Sequence, residues 1–549
     1  MRRRQFLKQF VHSTAGISAS QFLAYFMNFG LPAASRADDL AADQAREADA
    51  PRFLLYWFVE GGWMGYDMFN PVMTPNHVLQ RSDDISHERY RVLHWGEENY
   101  GIYTQGNIRY GYLAEEGVPL FSDMAVLSSM HTGGSHSRER LRAHMGTYDF
   151  RSTAERQEDE RSIMQAFAEV CGQPYVLPNL SWHWWLSDGE LNEAQYTGRR
   201  GYYHALGPSY AHTIYAGPPD NLRGFLERMR RMSTDAVNRQ VQNFLDSMDG
   251  HLLHDSSSEV VKSYHSARSI YQNLANQGGK LDENVLRGLF NQKSLKEQFN
   301  VQPADELITY RSINGNKART KFSPGVNVQA MMTYELLCAG YSSAFWLETR
   351  DIRLFDDHYT RRALWKPDGT PKGQPDTTNK MNSELWKPLK TLVQLLKNTE
   401  YKQTGKSLYD LTTIVLTSEF GRTIHGEVEA IEKMKIPDAE KKKLIGEQDI
   451  SQHWPVTSAV FLGGNVKGGY QYGGVGELTL QPIPILPDGS MDPAYDPKTG
   501  VLLEGREKNE KSMVPDHGEV YATALSLCGI DPKGKGRNEG RPLSFIHRT

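Results

Sequence analysis

The sequence predicts an α/β protein with a largely parallel central sheet covered on both faces, and three observations carry that expectation. Continuous apolar runs such as Phe53-Leu54-Leu55-Tyr56-Trp57-Phe58-Val59 have the composition of strands buried on both sides, not the alternation of a half-exposed sheet. These runs close on glycine or polar residues, as at Glu60-Gly61-Gly62. Helical patterns separate the runs, and a parallel sheet needs such helices because each crossover returns over one of its faces.

A chain of 549 residues with 39% hydrophobic and 23% charged residues can bury a large core. Its 62 basic and 66 acidic side chains leave a net charge of −4, so there is no broad basic field and nucleic acid is not an expected partner. The chain begins Arg2-Arg3-Arg4-Gln5-Phe6-Leu7-Lys8, continues through a mildly apolar stretch over 11–31, and reaches Pro32-Ala33-Ala34-Ser35-Arg36-Ala37-Asp38. That order predicts a signal peptide over 1–37, cleaved after Ala37. His12, Ser13, Gln21 and Asn28 make the stretch too polar for a span of about 20 apolar residues, so no stable membrane span is expected after cleavage. The arginines followed by Phe-Leu-Lys resemble the twin-arginine export signal, which implies the twin-arginine translocase as a partner and a periplasmic or secreted product exported folded. An uncleaved basic anchor is the alternative. Residues 38–50 read as a linker, and 51–549 as a single α/β domain with a helical insertion around 219–320. Three cysteines, Cys171, Cys338 and Cys528, give no disulfide framework, and the apolar surroundings of Cys338 and Cys528 place both in the core.

In chain order, strands are expected at 53–59, 124–130, 344–347, 411–417 and 456–462, and helices at 330–340, 385–396 and 520–528. Leu222, Phe225, Leu226 and Met229 recur at helical spacing within 221–300, where helices covering the sheet are expected. Pro388 is tolerable only in the first turn of its helix. Residues 427–443 read as a charged surface insertion and 481–500 as a proline-rich loop.

Polar clusters follow several of these runs, and in open α/β sheets ligands bind beyond the carboxyl ends of the strands. Glu60 and Asp67 flank Gly61-Gly62, either as cation ligands or as ordinary acids at a tight turn. Ser135 and Ser137 stand at a helix start, where a hydroxyl is either a nucleophile or an N-cap and the free N–H groups favour an anion. His136 beside them is a metal ligand, a proton donor or a core histidine. Asp356-Asp357-His358 places a carboxylate and an imidazole two residues apart. Glu419 and Arg422 follow the strand at 411–417, as an acid for metal with a guanidinium for an anionic oxygen or as a buried salt bridge, and Asp449 and His453 come later.

Taken in order, these pieces resemble the DUF 1501 family, exported sulfatase-like proteins of the alkaline phosphatase superfamily. The resemblance lies in the twin-arginine start; Gly61-Gly62 with Asp67 and Phe69-Asn70-Pro71; Ser129-Met130-His131-Thr132 with Ser135-His136; and Phe355-Asp356-Asp357-His358. Ser418-Glu419-Phe420-Gly421-Arg422-Thr423 and Gly463-Gly464-Asn465-Val466-Lys467-Gly468-Gly469 are its most specific parts. It implies a three-layer α/β/α sandwich with one or two divalent metal ions (zinc, calcium, magnesium or manganese) at the carboxyl edge of the sheet. By position, Glu60 or Asp67, then Asp356 and His358, Glu419 and His453 would be the ligands. The acid after Gly-Gly comes later here than in such proteins, and the usual Asp-His pair is stretched to Asp449 and His453. Cys171 is followed by Gly172-Gln173-Pro174, outside the Cys/Ser-x-Pro-x-Arg context that makes formylglycine, which disfavours a conventional sulfatase.

The expected function is therefore metal-dependent hydrolysis of a phosphate or sulfate ester, with an anionic ester, small or polymeric, as substrate. Ser135 or a metal-held water would attack, Arg422 would stabilise charge, and His136 or His453 would assist proton transfer. The rival is a non-catalytic extracytoplasmic binding or assembly protein on the same scaffold. For it, Trp182-His183-Trp184-Trp185 would be an exposed cluster gripping a glycan or partner, unless these rings pack in the core.

Overall fold

The computed structural model describes residues 51–59, 61–63, 65, 68–71, 77–80, 91–94, 103–134, 136–147, 161–182, 214–234, 240, 243, 277–306, 324–349, 381–422, 435–442, 453–477, 479–535 and 540–548. The expected leader over 1–37 and linker over 38–50 lie outside them. No helix among the described residues is long and apolar enough to cross a membrane.

Eight strands form the main sheet: β1 (Phe53–Val59), β2 (Ala125–His131), β3 (Leu180–Ser181), β4 (Ile214–Tyr215), β5 (Ala344–Glu348), β6 (Thr412–Ser418), β7 (Val456–Gly463) and β8 (Tyr470–Tyr472). Their order is β8-β2-β7-β6-β1-β5-β3-β4. β1 pairs parallel with β6 and β5, β3 with β5 and β4, and β8 with β2. β7 alone in this sheet runs against its neighbours, β6 and β2. The reversal brings the entry of β7 to the edge where β1, β2 and β6 leave the sheet.

All seven residues of β1 are fully buried, as the continuous apolar run requires. Side chains alternate between faces, so Phe53, Leu55, Trp57 and Val59 enter one core while Leu54, Tyr56 and Phe58 enter the other. Six helices cover these faces: α1 (His136–Met145), α2 (Ile163–Cys171), α3 (Pro219–Thr234), α4 (Val326–Ala339), α5 (Lys387–Asn398) and α6 (His517–Leu527). The first core takes Leu226 of α3, Leu336 of α4 and Leu392 of α5; the second takes Ala143 of α1, Phe167 of α2 and Leu525 of α6. The result is a three-layer α/β/α sandwich, in which each fully buried large apolar side chain contributes about 2–3 kcal/mol.

Local rules set the helix ends. α4 stops at Gly340, whose φ of 66° is the left-handed cap that glycine adopts without penalty. Pro388 does not sit at a free helix start: a π-helical stretch over Asn382–Trp386 runs unbroken into α5, and the wider turn just before the proline accommodates its ring and missing N–H. α6 begins three residues before the expected 520, because Asp516 caps it by accepting from Gly518 N–H while Glu519 accepts from Asp516 N–H at 2.9 Å. Cys528 is buried as expected, but Cys338 is exposed, since the buried face of α4 takes Leu336 and Leu337 and turns the next position outward. Among the described residues all three cysteines are free thiols. Trp182 is packed in the core against Phe345, with ring centroids 6.1 Å apart, and 183–185 lie outside the described residues.

Glu335 anchors the segment 277–306 to α4 by accepting the backbone N–H of Phe290. Burial raises its carboxyl from the ordinary 4.5 to about 7, against smaller opposing effects of the Phe290 N–H and Lys296. Between these values the folded chain holds a proton that the unfolded chain has lost, so this group's contribution to stability falls as pH rises through the window. Glu335→Gln keeps an acceptor for Phe290 without the charge. Urea unfolding should show it stabilised by on the order of 2 kcal/mol over wild type at pH 8, with little difference near pH 4.5.

Candidate functional site

At the carboxyl edge, β1 leaves through Gly61-Gly62-Trp63, β2 through Thr132-Gly133-Gly134 and β6 through Glu419-Phe420-Gly421-Arg422, while His453-Trp454 lead into β7. A short antiparallel ribbon pairs Gly421 with Trp454 and Arg422 with His453. Polar bonds tie the β1 and β6 exits together. Ser418 Oγ donates to the Val59 carbonyl at 2.6 Å and accepts the Trp63 N–H at 3.0 Å. Gly61 N–H donates to Glu419 Oε1 at 2.9 Å, and Arg422 Nε donates to the Gly61 carbonyl at 3.0 Å, with Nη2 donating to the same oxygen. Glu419 and Arg422 are both buried, so these bonds replace the water each group gave up.

Gly62 lets the two exits touch. Its φ is 82°, and a Cβ there would lie 2.4 Å from Phe420 Cε2 and 3.2 Å from Arg422 Nε. The Phe420 ring stacks on His453 at 4.2 Å and lies beneath the Arg422 guanidinium at 5.4 Å. His453 Nδ1 is 2.6 Å from the Gly134 carbonyl. A carbonyl only accepts, so Nδ1 carries a proton and donates it.

Behind this edge lies a layer of buried charge. α1 buries Glu139, Arg140, Arg142 and His144. Arg140 Nη2 is 3.7 Å from Glu419 Oε1, and Arg142 pairs with Asp516 at the start of α6. His517 Nε2 donates to the Glu419 backbone carbonyl at 3.3 Å, leaving the lone pair on Nδ1. Burial first, then the charge of Arg142, holds His517 down to about 3. His144, stacked on Trp346 at 3.4 Å, is pushed well below its usual range by burial, Arg140 and His517. Burial and Arg142 also lower His131 at the end of β2. Neutral imidazoles therefore line a region rich in guanidinium groups.

Of the residues singled out from sequence, the structure brings Glu419, Arg422 and His453 together. His136 opens α1, with its side chain outside the described residues, as are Glu60, Asp67, Ser135, Asp356, His358 and Asp449. Sequence reasoning missed Arg140, Arg142, Asp516 and His517. Arg140 and Arg142 read only as helix formers, and Arg140 lies against Glu419. For His517 a signal existed: Asp516 followed three residues later by Glu519 marks a capping box and a helix start.

Among the described residues no group of three or more His, Cys, Asp or Glu side chains is placed to hold a metal ion. Glu419 and His453 nevertheless fit a divalent ion in kind. One is a buried carboxylate, and the other a ring whose second nitrogen is held by a backbone carbonyl, as in most metal-ligating histidines.

No family model matches the chain, and no curated protein matches it. Solved structures to which it is similar include Ps i-CgsB, at 10% identity over 90% of this chain and 76% of that one, with a TM-score of 0.34. Another is the lipoteichoic acid synthase LtaP from Listeria monocytogenes, at 8% identity over 93% and 82%, with a TM-score of 0.32. The PsFucS1 sulfatase from Pseudoalteromonas sp. is similar at 11% identity over 94% and 77%, with a TM-score of 0.34. Likeness of this degree does not define a reaction.

Gly62→Ala should drive Phe420 and Arg422 apart and strain the backbone, costing about 2 kcal/mol or more. Thermal unfolding reads that loss, and an Ala variant as stable as wild type would mean that the two exits are not in contact.

Proposed function

We propose that the chain is an exported, metal-dependent hydrolase of phosphate or sulfate esters. The observation that carries the reading is the convergence of Glu419, Arg422 and His453 at one strand edge: a buried acid and a cation from the exit of β6, and an imidazole from the segment that leads into β7. The DUF 1501 resemblance of Ser418-Glu419-Phe420-Gly421-Arg422-Thr423 supports it, with 1–37 as the export leader and 219–320 as an insertion in a single domain over 51–549.

In this reading Glu419 and His453 hold one or two divalent ions together with Glu60 or Asp67, Asp356 and His358. Such ions, when bound, polarise the ester oxygen. Gly61 keeps Glu419 in place through its N–H, and Gly134 keeps the His453 ring oriented through its carbonyl. Arg422 supplies positive charge beside the developing anion. Ser135 or a water attacks, and His136 moves the proton. Trp182 lies in the core, which weighs against its share in the aromatic surface that a pure binding protein would use.

Elemental analysis of the purified exported protein beside Glu419→Gln/His453→Ala, followed by a phosphate- and sulfate-ester screen of both, tests the proposal. Stoichiometric divalent metal is expected in wild type, with affinity and turnover each lower by roughly 100-fold or more in the variant. A folded wild type without metal, and inactive when supplied with zinc, calcium, magnesium or manganese, would contradict it.

A further inference from the structure

The buried charges behind the site do more than fill the space between helices. Arg140 Nη2 lies 3.7 Å from Glu419 Oε1, with the two side chains 7% and 0% exposed. Neither ion would be stable there alone, because each has left water for a poorly polarisable interior. The oxygen that Arg140 faces also accepts the Gly61 N–H at 2.9 Å, so the guanidinium acts on the atom that joins the β1 and β6 exits. Arg142, two residues along α1, pairs with Asp516 at the start of α6. α1 is fixed further by His144 stacked on Trp346 at 3.4 Å. The Glu419 main chain is held separately, through its carbonyl, by His517 of α6.

We propose that Arg140 is a positioning residue, the resident counter-cation of Glu419, which holds the carboxylate in place in the metal-free chain and opposes an incoming divalent ion. The opposition rests on the hydrolase reading, whereas the counter-cation role stands without it. A divalent ion reaching Glu419 arrives beside a charge already there, in a setting too buried for solvent to screen the repulsion. Metal affinity is then set below what the acids and histidines alone would give.

Two measurements on the full chain separate these roles. The first is a double-mutant cycle of Arg140→Gln and Glu419→Gln after chelator treatment, read by urea unfolding. Arg140→Gln alone should lower the midpoint, and adding Glu419→Gln should restore much of it; simple additivity of the two losses would overturn the counter-cation role. If Arg140→Gln alone does not fold, a folded double variant makes the same point, and failure of both overturns it. The second is calorimetric binding of zinc and manganese to wild type, Arg140→Gln and Arg140→Lys. Arg140→Gln should bind roughly tenfold more tightly, with Arg140→Lys close to wild type. Unchanged or weaker binding by a folded Arg140→Gln overturns the opposition. Wild type that binds neither ion removes the metal reading and the opposition with it, and the stability cycle still decides the rest.

Discussion

The hydrogen bond from Gly61 N–H to Glu419 Oε1 joins segments 358 residues apart, and the architecture of the edge depends on its being possible. It forms because β1 and β6 pair in parallel with Val59 opposite Ser418, so both chains leave the sheet side by side. A slip of one residue would turn every side chain of the strand to the opposite face, and two filled cores forbid that. Glycine at 61 and 62 then allows the exits to touch, and burial makes the amide and the carboxylate necessary to each other.

The remaining pieces are held relative to that bond. Reversal of β7 delivers His453 to the same edge and lets Arg422 pair with it in a short ribbon. On the far side, α1 and α6 reach Glu419 by different routes, one through its side chain and the other through its backbone. A buried acid with a cation, an amide and a backbone anchor has little freedom to move. That is the kind of preorganisation a binding or reacting centre needs, and it is obtained by charge pairing where an ordinary core would use apolar packing.

Much of the sheet was legible because strands buried on both faces read as unbroken apolar runs; 53–59 is β1 to the residue, and 411–417 is displaced by one from β6. That Glu419, Arg422 and His453 share one edge was legible because all three stand beside strand ends. The direction of β7 was not legible, since periodicity carries no sense of direction. The role of α1 was not legible either. Charges at helical spacing usually face water, and it is tertiary partners such as Glu419 and Asp516 that keep Arg140 and Arg142 inside. Cys338 was misplaced because apolar neighbours in sequence do not share a helix face.

The proposed hydrolase needs this knot of exits to hold a metal ion. That requirement is tested most directly by anomalous diffraction from crystals of the protein grown with saturating zinc. A peak is expected at about 2.0–2.2 Å from a Glu419 carboxylate oxygen and from His453 Nε2. A zinc-saturated crystal whose anomalous peaks all lie away from both residues would contradict it.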